Sequence, residues 1–278
     1  MSSVSNITND INISHPEMWK LALRLDCGGL KFILHSTVED NSLIYRDIRF
    51  PDSGDSYLKR LENTIYDNPI FLQEYKNVSI VIESQSFIII PEEYAGDDEA
   101  TAKLFDFSFP NFEGELIKNA LQRCKATIVF GIEKGIESFL QRTFDSSTLL
   151  HHLSPLCEYF HKKSSLGNVS KLYAYLHEGN LSVCIFNRNG LALANSFKCR
   201  HINDVAYYIL NCWQTHKLNV LTDELQVLGN KDMREELMPM LRKYVNFVMP
   251  MIFPSAIFKT GQDALKVPFD LIVLPLCE

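Results

Sequence analysis

The stretch LALRLDCGGLKFIL, Leu21–Leu34, decides the fold. Leu21, Leu23 and Leu25 fall on one face of an extended chain, and Ala22, Arg24 and Asp26 on the other. That period of two is a strand signature. Leu30, Phe32 and Leu34 continue it in a second strand, and Asp26 ends the first. Between them, Gly28-Gly29 predicts a tight hairpin turn with positive φ. The pattern returns as LYAYLHEGNLSVCI, Leu172–Ile185. Leu21 aligns with Leu172, Leu25 with Leu176, Gly28 with Gly179, Leu30 with Leu181 and Leu34 with Ile185.

Working outward, Leu43–Phe50 reads as a third strand, stopped by Pro51–Gly54. Asp55 or Ser56 then caps a helix in which Leu58, Leu61 and Ile65 recur at helical spacing. Val78–Ile82 is an apolar run suited to a buried parallel strand. In the second copy Leu191 stands for Leu43, and Ala206, Ile209 and Trp213 for Leu58, Leu61 and Ile65. Strand, strand, strand, helix, strand is the order of a ribonuclease H-like unit. The chain is thus expected to be α/β, with two such halves of mixed sheets around a central cleft. Residues 1–15 read as a flexible polar arm, 16–168 as the N-terminal half and 169–278 as the C-terminal half. KSSLGN, residues 163–168, marks the boundary. Phe87–Ile90 and Phe105–Phe109 bracket the acidic loop Gly96–Glu99 and suggest an inserted subdomain at about 84–112. Beyond it the reading is a helix at 113–123, a strand at 126–132, a helix at 134–143, a strand near 149–153 and a helix at 155–162. The tail 268–276 is apolar enough for a buried terminal strand or helix.

A net charge of −7 gives no electrostatic reason to bind nucleic acid. Seven scattered cysteines without a C-x-x-C pair fit reduced thiols in a cytoplasmic protein. No signal peptide is read at the N-terminus. Val245–Phe258, broken by Pro250 and Pro254, is a core segment and not a membrane span.

This layout resembles the actin-like ATPase superfamily, and is similar to the pilus-assembly protein PilM. The whole chain, down to PFDLIVLPLCE at Pro268–Glu278, also resembles an uncharacterised Bacteroidetes family with that fold. The resemblance implies ATP and magnesium as cofactors, held by three glycine-containing elements. Two are hairpins that bind phosphates through backbone N–H groups, each preceded by an Asp that positions Mg²⁺ or water. The third is a strand-Gly-Gly-helix segment against adenosine. Carried onto this chain, the nucleotide residues are Asp26, Gly28 and Gly29, then Gly179 and Asn180, then Gly229. The second hairpin has His177 where the Asp belongs, and the third element keeps one glycine of two. With one carboxylate lost, weak nucleotide binding or none is expected, with little turnover. Asp26, the one catalytic candidate, also reads as a strand-end residue stabilising its own turn.

Two other constellations stand out. Asp26, Glu62 and Glu83 fall roughly where ribonuclease H-like nucleases carry metal-bridging carboxylates. His152, Cys157 and His161 bring metal-ligand types together, with Cys157 and His161 on one helical face. No fourth ligand follows, so a buried cysteine beside histidines is the plainer reading, and no metal site is assigned. The preferred expectation is a degenerate, non-hydrolysing actin-like protein that acts as a scaffold for another protein, through the FDFSFPNF segment, 105–112. A working ATP-binding protein or kinase, and a metal-dependent nuclease, are the alternatives.

Overall fold

A computed structural model describes residues 8, 10–165, 167–251, 253 and 262–276. The chain divides into two units. The first takes the described residues within 1–119, 127–152 and 254–267, and the second those within 120–126, 153–253 and 268–278. The division therefore falls at His152, ahead of the KSSLGN segment.

In the first unit β1 (Trp19–Asp26) pairs antiparallel with β2 (Gly29–Ser36), and β2 with β3 (Ile44–Arg49). Helix α1 (Tyr57–Tyr66) follows, capped by the Ser56 side chain accepting from the Lys59 N–H. Its Leu61 and Ile65 are fully buried. The chain then enters β4 (Asn77–Ile82), parallel to β1. With β8 (Thr148–His151) parallel to β4, the order is β3-β2-β1-β4-β8. Of the expected arm, Thr8 is buried and donates to Asn68 Oδ1 at 2.8 Å, and Asp10 pairs with Arg46. Residues 1–7 and 9 of that arm lie outside the described residues.

The second unit repeats the order as β11-β10-β9-β12-β13. Its strands are β9 (Lys171–His177), β10 (Asn180–Asn187), β11 (Gly190–Lys198), β12 (Glu224–Leu228) and β13 (Phe247–Pro250). α5 (Ile202–Thr215) buries Ala206, Ile209 and Trp213, as the phase of the repeat predicts. The likeness reaches single atoms. Just past β3, the Phe50 N–H donates to the carbonyl of Gly28 at 2.9 Å. Just past β11, the Cys199 N–H donates to the carbonyl of Gly179 at 2.8 Å. α4 (Leu153–Ser164) and α6 (Lys231–Leu241) also belong to this unit. The tail forms a short helix, α7 (Phe269–Ile272), and a 3-10 turn at Leu274–Leu276. The Phe269 N–H donates to the Tyr175 hydroxyl at 2.8 Å.

Between β4 and β8 lies a three-stranded sheet, ordered β5-β7-β6. It comprises β5 (Phe87–Pro91), β6 (Glu115–Leu121) and β7 (Ala126–Ile132), with α2 (Asp98–Ser108) between β5 and β6. α3 (Ile136–Thr143) then leads to β8. The structure corrects two readings here. Residues 113–123 are not a helix: Ile117, Asn119 and Leu121 are buried alternately, as in a strand. Within the insert, Asp97 caps a helix that carries the chain through Ser108. The extra sheet thus runs to Ile132, beyond residue 112.

Candidate functional site

In the first hairpin, alternation places Arg24 and Asp26 on one face of β1, with Lys31 on β2 directly opposite Arg24. Two cations facing each other across a ladder repel, so the site depends on its carboxylates. Lys31 Nζ reaches Asp26 Oδ2 at 2.5 Å, and Arg24 Nη1 lies 3.6 Å from the same oxygen. Arg24 Nη2 binds Glu83 Oε2 at 2.7 Å. Asp47 on β3 stands 4.0 Å from Lys31, and Arg49 lies 3.3 Å from Asp47 and 3.9 Å from Asp26. Three cations thus face three carboxylates, and the Arg24 and Lys31 side chains are each only 2% exposed. Burial works to raise the Asp26 pKa, but the Lys31 ammonium, the Gly28 N–H and Arg24 outweigh it and hold the carboxyl below its usual range.

Asp26 Oδ1 also accepts from the Gly28 N–H at 2.8 Å, as in an Asx turn. Positive φ was expected at Gly28-Gly29, and neither residue has it. Gly29 is needed for space instead: a Cβ there would lie 2.2 Å from the Ile48 carbonyl oxygen. The second hairpin turns differently. Glu178 (φ 43°) and Gly179 (φ 78°) are both left-handed, the geometry of a type I′ turn. The His177 ring stacks on Tyr175, and its Nε2 lies 3.5 Å from Glu178 Oε2. Glu178 is thus a turn residue folded back on His177. Asn180 opens β10 in register with His177 and Lys198. At the third element, Gly229 (φ 124°) lets the chain pass β9, since a Cβ would sit 2.4 Å from the Leu176 carbonyl. Asn230 caps α6.

The comparisons with known proteins agree with this geometry. A family model, DUF3822, described as a protein of unknown function, matches residues 8–248. The chain belongs to this family. Among solved structures, this chain is similar to a Bacteroides thetaiotaomicron VPI-5482 protein with an actin-like ATPase fold and unknown function. The identity is 29% over 95% of this chain and 97% of that one, with a TM-score of 0.78. It also shares its fold with the type IV pilus biogenesis complex of PilM and PilN, at 13% identity over 95% of this chain and 100% of that one (TM-score 0.57). No curated protein matches. The chain therefore has the actin-like ATPase fold, two ribonuclease H-like halves with mixed sheets, as the duplicated hairpin predicts.

The remaining sequence candidates are placed as follows. Glu62 pairs with Lys59 on its own helix at 3.6 Å, while Glu83 is held by Arg24. Among the described residues no three His, Cys, Asp or Glu side chains stand close enough to hold a metal, so Asp26, Glu62 and Glu83 do not converge. Cys157 faces Cys184, Sγ to Sγ 3.9 Å, and His161 packs on Phe186. His152 lies against the ring of His151. No helix among the described residues is long and apolar enough to cross a membrane. In FDFSFPNF, Phe105 is buried and its ring meets those of Phe109 and Phe112 at 5.0 and 5.4 Å. Phe107 is 86% exposed, and Leu104, one turn earlier on the same face of α2, is 46% exposed. Lys31 and Arg24 are the site residues that sequence reading missed. Their signal was present: both are charged, on strand positions that register with one another beside Asp26.

Proposed function

We propose that this chain is a degenerate, non-hydrolysing actin-like protein that works in the cytoplasm as a scaffold for another protein. The observation that carries this reading is the state of Asp26. Its carboxylate is met by Lys31 and Arg24 and by the amide of Gly28, so the oxygens a magnesium ion would use already have partners. The amide a phosphate would use is also engaged. In the second half, His177 takes the position of the matching carboxylate. This donor set does not fit a magnesium nucleotide, and no step is derived through one. The six described cysteines are free thiols, in keeping with a reducing compartment. PilM, which shares the fold, was solved with a protein partner, PilN. The surface offered here is the Leu104 and Phe107 face of α2, with Asp97, Asp98 and Glu99 at its start.

Thermal-shift titration with Mg-ATP, together with nucleotide analysis of the purified protein, tests the reading. No shift at millimolar Mg-ATP and no co-purifying nucleotide are expected. A saturable shift that Asp26→Ala abolishes would overturn it in favour of the ATP-binding alternative.

A further inference from the structure

Three segments of the second unit meet around a polar pocket of about 530 Å³. They are the turn between β6 and β7, the turn between β10 and β11, and the C-terminal end of α4 with the residues that follow it. The first turn brings Arg123 and Lys125 to the pocket and the second brings Arg188, all three exposed. No carboxylate among the described residues lines it. A chain of net charge −7 thus gathers three cations at one concave place and keeps its acids away from it. Such a place draws anions.

The hydrogen bonds point to the same sign. A helix C-terminus by itself favours a cation, because its last carbonyls are unpaired. At α4 those carbonyls are taken. That of His161 accepts from the Ser165 N–H at 3.0 Å, that of Lys162 from the Ser165 hydroxyl at 2.9 Å, and that of Ser164 from the Gly167 N–H at 3.3 Å. The Asn168 carbonyl accepts from Arg188 Nε at 3.3 Å, and Asn187 Oδ1 from the Asn189 N–H at 2.8 Å. These acceptors are spent within the protein, while donors are left over. Lys125 makes no ion pair with a described residue, and Arg188 keeps both Nη groups free of described partners. Arg123 is steadied by Glu158, which does not line the pocket and accepts from the Arg123 N–H at 3.2 Å and from Nη1 at 3.0 Å.

The walls restrict the kind of anion. Phe186, the one large apolar side chain of the lining, is 1% exposed and is packed by the His161 ring. No open apolar wall is therefore present to hold an organic body. Cations from separate turns suit an anion with charge on more than one centre, and guanidinium and ammonium groups are natural partners of phosphate oxygens. We propose that this pocket binds a free inorganic diphosphate-type anion, its terminal oxygens shared among Arg123, Lys125 and Arg188. The proposal is independent of the scaffold reading. That reading is tested with Mg-ATP and Asp26, whereas magnesium, which would mask the anion's charge, is left out here.

The test is calorimetric titration of the full-length protein with sodium pyrophosphate in magnesium-free buffer of low ionic strength. One saturable site per chain is expected, at least tenfold tighter than for sulfate at matched ionic strength and weakened by added sodium chloride. ADP should bind no tighter than pyrophosphate. The double variant Lys125→Asn, Arg188→Gln should lose at least tenfold in affinity with an unchanged melting temperature, since asparagine tolerates the left-handed φ of 50° at Lys125. If the double variant melts earlier, the single variants carry the comparison, each losing part of the affinity. Lys217→Asn is the control. It takes the same charge from another left-handed lysine of this unit (φ 54°) and should leave the affinity intact. Absence of saturable pyrophosphate binding, equal affinity for sulfate, tighter binding of ADP, full affinity in the Lys125 and Arg188 variants, or an equal loss in Lys217→Asn overturns the proposal.

Discussion

Lys31 and Asp26 form a buried pair whose partners each depend on the other. Removing one member of such a pair leaves a charge uncompensated in a low-dielectric site, typically costing about 3–5 kcal/mol. Arg24 and the Gly28 amide still support Asp26 once Lys31 is gone, so Lys31→Met should cost about 3 kcal/mol in urea unfolding. Asp26→Asn added to it should restore part of that loss, because the two changes share one interaction. His151 gives a pH signature. Burial pushes its pKa down from 6.5 to about 3, against the hydrogen bond from Nε2 to the Ser84 carbonyl. The folded state therefore holds His151 neutral while the unfolded chain takes up a proton below pH 6.5. Stability should fall by about 1.4 kcal/mol per pH unit from there toward pH 3 on this account. His151→Gln should flatten the slope in urea midpoints measured at pH 7, 6 and 5. The charged types at Arg24 and Lys31 were legible in the sequence, but their burial was not. Alternation placed Arg24 and Lys31 on a polar face, and a strand alone does not say that this face will be covered.

At the scale of elements, the two hairpins share a strand order and differ in their turns. Gly29→Ala would drive a methyl into the Ile48 carbonyl and break the β2–β3 ladder. It should destabilise by about 3 kcal/mol or more, in the manner of an overpacked core. Gly179→Ala meets nothing closer than the Cys199 oxygen at 3.6 Å and pays only for its left-handed φ, about 1 kcal/mol. Thermal melts of the two variants check the contrast. Strand β6 shows why the reading from sequence failed locally. Leu116, Ile117, Ala120 and Leu121 suit a helical face, and the buried residue between them is the polar Asn119. Asn119 faces inward because its amide donates to the Leu149 carbonyl and its oxygen accepts from the His151 N–H. A buried side chain with two such partners breaks the apolar alternation that marks a strand.

For the molecule as a whole, the duplication was readable because phase held through three strands and a helix, which chance rarely preserves. The extent of the inserted sheet was not, since its strands pair out of chain order, β5 with β7 and β7 with β6. Each half has its own central strands, β1 and β4 in one and β9 and β12 in the other, flanked on both sides. Hydrogen exchange should therefore find two separate centres of slow amides there, with faster exchange at the edges β3, β8, β11 and β13. A single protected centre would contradict two independent cores. The balanced charges under the first hairpin also give it a thermal character. The penalty for keeping Arg24, Lys31 and Asp26 from water shrinks on warming, and the stacked rings of Tyr175 and His177 gain nothing comparable. Heat should thus part the two copies, with the turn at Gly28 still closed at temperatures where the turn at Gly179 has begun to fray.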